Sequence, residues 1–189
     1  TGGFSTKNAS VGYYMDNVAV QMIITIFMFL GGANFALYCQ ALKKKKLGVF
    51  FRNEEFLLYL KVVGIAVALV TLSLYVSGTT DQGIIPVTAL FQVVSVLTTT
   101  GYATVDYDQW PNLARNTLFI LLFVGGCFGS TAGGIKIGRF LILVKYMISE
   151  FIRSAHPRMV QSIKINGVNV DEKIVMNTFI FFFAYCAIL

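Results

Sequence analysis

Residues 86–97, PVTALFQVVSVL, form an apolar stretch that runs straight into Thr98-Thr99-Thr100-Gly101-Tyr102. Twelve helical residues at 1.5 Å each reach only about 18 Å, against a hydrocarbon core of about 30 Å. A helix here goes partway into a membrane, and the chain has to climb back to the side it came from, where Asp106, Asp108 and Trp110 suit the interface. Non-helical backbone at membrane depth is tolerated only where protein buries it or where water and ions line it. An extended threonine run ending in glycine offers a row of carbonyl oxygens that can replace the water around a dehydrated cation. Gly101 admits φ values that other residues resist, and the negative end of the helix near Leu97 points to where a cation would sit. The stretch therefore predicts a pore helix over 86–97 and an extended filter over 98–102, with a loop that only packs between helices as the plainer alternative.

The rest of the chain supports a membrane setting. It is 56% hydrophobic and 13% charged, with seventeen phenylalanines, outside the range of an ordinary soluble domain. Apolar runs of membrane-crossing length lie over 18–42 and 56–76, and over 113–152 with interruptions; another begins near Ile174 and continues to Leu189. The chain opens on Thr1-Gly2-Gly3 and stops within an apolar run, so it reads as an internal piece of a longer protein. The net charge of +6 is distributed as a membrane surface requires and not as a nucleic-acid patch. Lys43, Lys44, Lys45, Lys46 and Arg52 follow the first run, and Arg139, Lys145, Arg153, Arg158 and Lys164 lie within or after the third, which places both regions in the cytoplasm. The opposite loops carry Asp16, Asp81, Asp106 and Asp108, with Lys7 as the exception. Cys39, Cys127 and Cys186 have no paired spacing, and His156 is the single histidine, so neither disulfides nor a metal site are indicated.

A repeat is visible. Gly3-Phe4-Ser5-Thr6 falls on Gly101-Tyr102-Ala103-Thr104, and Gly31-Gly32 falls on Gly125-Gly126 once four residues are removed between them. Thr1, Gly2, Gly3 and Phe4 thus stand as a second filter segment beside Thr98, Thr99, Thr100, Gly101 and Tyr102.

The third apolar run must be broken, since forty residues of helix would extend about 60 Å. The break is written at 125–134, GGCFGSTAGG, half glycine and followed by Lys136. A nucleotide-binding loop is excluded: Ile135 separates Gly134 from the lysine, and no Ser or Thr follows it. Two readings stay open. Small residues allow close helix contact, or Gly125, Gly126, Gly129, Ser130, Thr131, Gly133, Gly134 and Lys136 form a loop projecting into the pore. In the second case Lys136 is an intramembrane cation that opposes passage until the loop moves.

Three ordered motifs, LTTTGYATVDYDQWP, GGCFGSTAGGIKIGR and HPRMVQSIKINGVNV, resemble the Trk/Ktr/HKT superfamily of potassium transporters, in particular the bacterial TrkH/TrkG type of pore subunit. The resemblance implies an all-α membrane protein in which four helix, pore-loop and helix units surround one pore with pseudo-fourfold symmetry. Residues 1–42 would end the second repeat and 43–55 would be a cytoplasmic linker. Residues 56–152 would be the third repeat, with outer helix 56–76, pore helix 86–97, filter 98–102 and broken inner helix 113–152. Residues 153–173 would be a second linker and 174–189 the start of the fourth repeat. It further implies potassium uptake across the bacterial inner membrane by a multi-pass protein, with K+ held at filter carbonyls, no catalytic residue and no covalent cofactor. Expected partners are the lipid bilayer, a second copy in a homodimer, and cytoplasmic nucleotide-binding regulatory subunits of the TrkA kind. A sodium-coupled or less selective monovalent cation transporter of the same superfamily is the alternative.

Overall fold

The computed structural model describes residues 2–14, 17–46, 48–78, 85–155 and 163–188. Thr1, Asp16, Asp81, His156 and Arg158 lie outside the described residues. The architecture is helical, assembled from short and long apolar helices joined by tight, polar-capped breaks.

Helix α1 (Val18–Gly32) starts where the Asn17 side chain accepts the Val20 N–H, and α2 (Phe35–Lys44) starts where Asn34 accepts the Ala36 N–H. The sequence read 18–42 as one apolar run, but α1 and α2 meet at a bend of 92°. The cause is local. Ala33 is extended, Asn34 acts as an N-cap and so ends one helix by beginning another, and the carbonyls freed at Gly31 and Gly32 find donors elsewhere in the fold.

After a single turn, α3 (Gly48–Phe51), helix α4 (Glu54–Ser77) runs for 24 residues from the Asn53 cap to a left-handed Gly78. At 1.5 Å per residue that is about 36 Å, and among the described residues α4 is the one unbent helix long and apolar enough to cross a membrane.

Helix α5 (Ile85–Leu97) covers the stretch read as a pore helix and packs against α1, α4 and α6 (Asn112–Phe123). Phe91, Gln92, Val93, Val94 and Leu97 are all fully buried. A helix without a charged residue and with apolar residues around its whole circumference has to be covered on every side, and α5 is covered by α1, α4 and α6. Helix α7 (Ile137–Ala155) resumes after the break that follows α6, and α8 (Glu172–Ile188) packs along it through Tyr146 on Phe179 and Phe140 on Phe182.

One element differs from the reading of 153–173 as a plain linker. Strands β1 (Lys164–Ile165) and β2 (Val168–Asn169) form an antiparallel hairpin. Its two turn residues, Asn166 and Gly167, have φ of 52° and 80°, the left-handed pair that a two-residue hairpin turn demands.

Candidate functional site

Helix α5 ends in a wrapped turn and not in an extended run. The Thr99 N–H donates to the Val96 carbonyl and the Thr100 N–H to the Ser95 carbonyl, both at 2.9 Å, with Thr99 itself left-handed at φ 51°. This is the bonding of a Schellman cap. The expectation of an extended threonine row over 98–102 is thereby corrected: Thr98 and Thr99 belong to the turn, the Thr100 N–H still bonds back to Ser95, and Gly101 is left-handed at φ 80°. The turn wins because the last carbonyls of a buried helix have no water to bond and must take N–H groups from the following residues. Thr98 Oγ1 donates to the Val94 carbonyl at 2.7 Å and pairs with Thr100 Oγ1 at 2.8 Å. Further along, Ser95 Oγ holds the Tyr102 carbonyl at 2.6 Å. Among the described residues, the Thr98, Thr99 and Gly101 carbonyls accept no backbone hydrogen bond.

The N-terminal segment lies directly against this turn. The Gly3 N–H donates to the Thr100 carbonyl at 2.9 Å, and Gly3 and Gly101 are both left-handed, at φ 71° and 80°. A Cβ on Gly3 would sit 2.6 Å from the Gly101 oxygen, and one on Gly101 would sit 3.1 Å from the Gly3 nitrogen. A side chain at Gly3 is excluded unless the backbone shifts, and one at Gly101 is strained by both the tight contact and the left-handed φ. Downstream, Gly12 N–H reaches the Ala103 carbonyl at 3.1 Å and Ala103 N–H reaches Ser10 Oγ at 3.3 Å. Gly2 is left-handed as well, while the Phe4 side chain is exposed and takes no part in this contact. Thr1 lies outside the described residues.

The break between α6 and α7 is a folded loop docked under the α5 turn. Its ends are tied by Gly125 N–H to the Ile135 carbonyl at 2.8 Å and Ile137 N–H to the Gly126 carbonyl at 3.1 Å. A Cβ on Gly125 would run into the Gly133 carbonyl, and one on Gly126 into the Gly32 carbonyl. The loop takes up the carbonyls freed by the α1/α2 bend: Cys127 N–H bonds Gly32 O at 2.9 Å, and Thr131 bonds Gly31 O with both its N–H and its hydroxyl at 3.1 Å. Gly129 O accepts the Phe35 N–H in return. At its tip, the Gly133 N–H donates to Thr99 Oγ1 at 2.7 Å. Gly129 and Gly134 are the left-handed corners, at φ 65° and 67°. Ser130 folds onto the Cys127 carbonyl, and Lys136 turns back so that its Nζ donates to Ser130 Oγ at 3.3 Å, to the Ser130 carbonyl and to the Ala132 carbonyl. The ammonium is a strut within the loop, solvated by peptide oxygens.

Turn, N-terminal segment and loop thus converge at the foot of a buried, membrane-short helix, with each of the paired glycine sets Gly31-Gly32 and Gly125-Gly126 in contact with that convergence. The family model described as TrkH, cation transport protein, matches residues 1–189. The chain belongs to that family. It is 38% identical over 188 residues to the Trk system potassium uptake protein TrkH of Salmonella typhimurium, covering 99% of this chain and 39% of that protein. It is 33% identical to the Trk system potassium uptake protein TrkG of Escherichia coli, covering 97% of this chain and 38% of that one. The crystal structure of the potassium transporter TrkH from Vibrio parahaemolyticus superposes with a TM-score of 0.90 at 33% identity, over 98% of this chain and 40% of that chain. The chain spans about two fifths of the length of the relatives it matches.

Three features of the site were not found by reading the sequence. Asn34 at the bend and Glu55 in the first turn of α4 both contact the loop region, and Asn166 of the hairpin reaches the α4 N-terminus. Only the last had a visible signal, the Asn-Gly pair.

Proposed function

We propose that a full-length protein carrying this chain takes up potassium across the bacterial inner membrane as a multi-pass protein, through a selective pore closed by the loop 124–136. The observation that carries this reading is the Gly3 and Gly101 contact. Two left-handed glycines from two sequence repeats lie back to back at the end of a buried half-length helix, and the Thr98, Thr99 and Gly101 carbonyls have no backbone donor among the described residues. Oxygens without a hydrogen-bond partner in a water-poor setting are costly unless a cation or water takes them, and K+ is the ion those oxygens would hold. The helix dipole of α5 adds negative potential at the same place. The names of the relatives, potassium uptake proteins of a Trk system, support K+ as the transported ion and further components as partners. We take these partners to be cytoplasmic nucleotide-binding subunits, and the assembly to be a homodimer in the bilayer.

The test is ion flux by the full-length protein in liposomes at fixed membrane potential, comparing potassium, rubidium, sodium and lithium. Potassium and rubidium should pass well ahead of sodium and lithium. Equal sodium flux, or flux that requires a second ion, would replace this reading with that of a less selective or sodium-coupled transporter.

A further inference from the structure

Glu55 is 6% exposed, a buried carboxylate in the first turn of α4. Its Oε1 accepts the Phe128 N–H at 2.5 Å, the Asn34 side chain and the Gly138 backbone lie beside the carboxylate, and a Cβ on Gly138 would come within 2.9 Å of the same oxygen. These groups belong to three different segments. Asn34 sits at the α1/α2 bend, Phe128 within the loop, and Gly138 at the start of α7. The next residue back faces the other way: Glu54 pairs with Lys145 of α7, whose Nζ also donates to the Lys164 carbonyl at 2.6 Å, and the Glu54 N–H is capped by Asn166 Oδ1 at 2.8 Å.

The other bonds that hold the loop down, from Cys127, Thr131 and Gly133, join neutral groups. Hydrogen bonds to an ionised carboxylate are about twice as strong as neutral ones. A buried carboxylate deprived of its donors is also costly in itself. Moving the loop away from the α5 turn strips the Phe128 N–H from Glu55, so this one side chain resists the motion more than any neutral contact does. We infer that Glu55 is a positioning residue that holds the loop 124–136 in its closed place. The inference rests on the reading of that loop as the gate.

The test uses single-channel recording and liposome flux on the full-length protein with Glu55→Ala, Glu55→Gln, Asn34→Asp and a deletion of residues 129–134. Glu55→Ala should raise open probability about tenfold or more, the loss of one charge-assisted hydrogen bond, while unitary conductance and the potassium to sodium ratio stay at their parental values. Glu55→Gln, which keeps an oxygen for Phe128, should recover part of the closure. Asn34→Asp leaves Glu55 in place and keeps the oxygen that caps Ala36, but sets a second carboxylate beside the first; it should open the channel in the same way. A Glu55→Ala protein that inserts and gates as the parent does, alongside a deletion that opens, overturns the inference and leaves the gate standing. If Glu55→Ala fails to insert, parental gating in Asn34→Asp overturns it. No effect from either the deletion or the substitutions overturns the gate and the inference together.

Discussion

Thr99 is left-handed at φ 51°, and its Oγ1 accepts the Gly133 N–H at 2.7 Å. A β-branched residue in that region is strained by about 1–3 kcal/mol, and glycine would be the ordinary choice at a Schellman turn. Glycine would carry no hydroxyl. The strain is tolerated where the side chain joins the end of α5 to the loop beneath it.

Thr99→Val keeps the branched shape and the strain but removes the acceptor, leaving Gly133 N–H without its partner. We expect basal potassium flux to rise several-fold, with Thr99→Ser close to the parent, a loss of about 1 kcal/mol of closure. Flux assays on the two variants side by side check this, and equal behaviour would dissociate Thr99 from the gate.

The glycine pair gives a graded prediction. A Cβ at Gly3 meets the Gly101 oxygen at 2.6 Å, whereas one at Gly101 meets the Gly3 nitrogen at 3.1 Å, and both carry the left-handed penalty of about 1 kcal/mol. Gly3→Ala should therefore lower the potassium to sodium flux ratio more than Gly101→Ala does, with Gly101→Ser also less selective than the parent. An unchanged ratio in all three would remove the pair from the ion path.

Lys136 braces the loop through Ser130 and Ala132. Lys136→Ala should loosen the loop without removing it, so its basal flux is expected above the parent and below the deletion of 129–134. A Lys136→Ala flux equal to or greater than that of the deletion would mean that the ammonium blocks ions directly and does not act as a brace.

The hairpin yields a prediction on stability alone. Asn166→Ala loses both the bond to the Glu54 N–H and a residue suited to φ 52°, which together should cost about 1–2 kcal/mol. Gly167 has open space around its Cβ position, so Gly167→Ala should cost only the left-handed penalty of about 1 kcal/mol. Thermal unfolding of the detergent-solubilised protein would show the larger drop for Asn166→Ala.

Length arithmetic made a short helix, read over 86–97, and an interruption, read over 125–134, legible, because a count of apolar residues against bilayer thickness does not depend on what packs around them. The bend at Ala33 was illegible for the opposite reason. Gly31 and Gly32 read only as the repeat counterpart of Gly125 and Gly126 inside an apolar run, and the donors that satisfy their freed carbonyls, Cys127 and Thr131, lie about 100 positions later. The left-handed Thr99 runs against residue preference, so no propensity could have located it. Glu55 looks like one of two surface acids ahead of a helix; its burial is decided by Asn34, Phe128 and Gly138, which only the fold brings to it. The hairpin strands, two residues each, are too short to show alternation, although their Asn-Gly turn was in view.

The mutual approach of Gly3 and Gly101 also bears on how such a chain can vary. A Cβ on Gly3 overlaps the Gly101 carbonyl and one on Gly101 presses on the Gly3 nitrogen, and both positions are left-handed, so neither residue enlarges without its counterpart giving way. A single exchange meets a clash at Gly3 and a tight contact at Gly101, and a matched exchange at both meets the two together. In a library randomised at positions 3 and 101 together, survivors selected for growth on limiting potassium should return glycine at both, so that two repeats otherwise free to drift apart remain bound to the same residue.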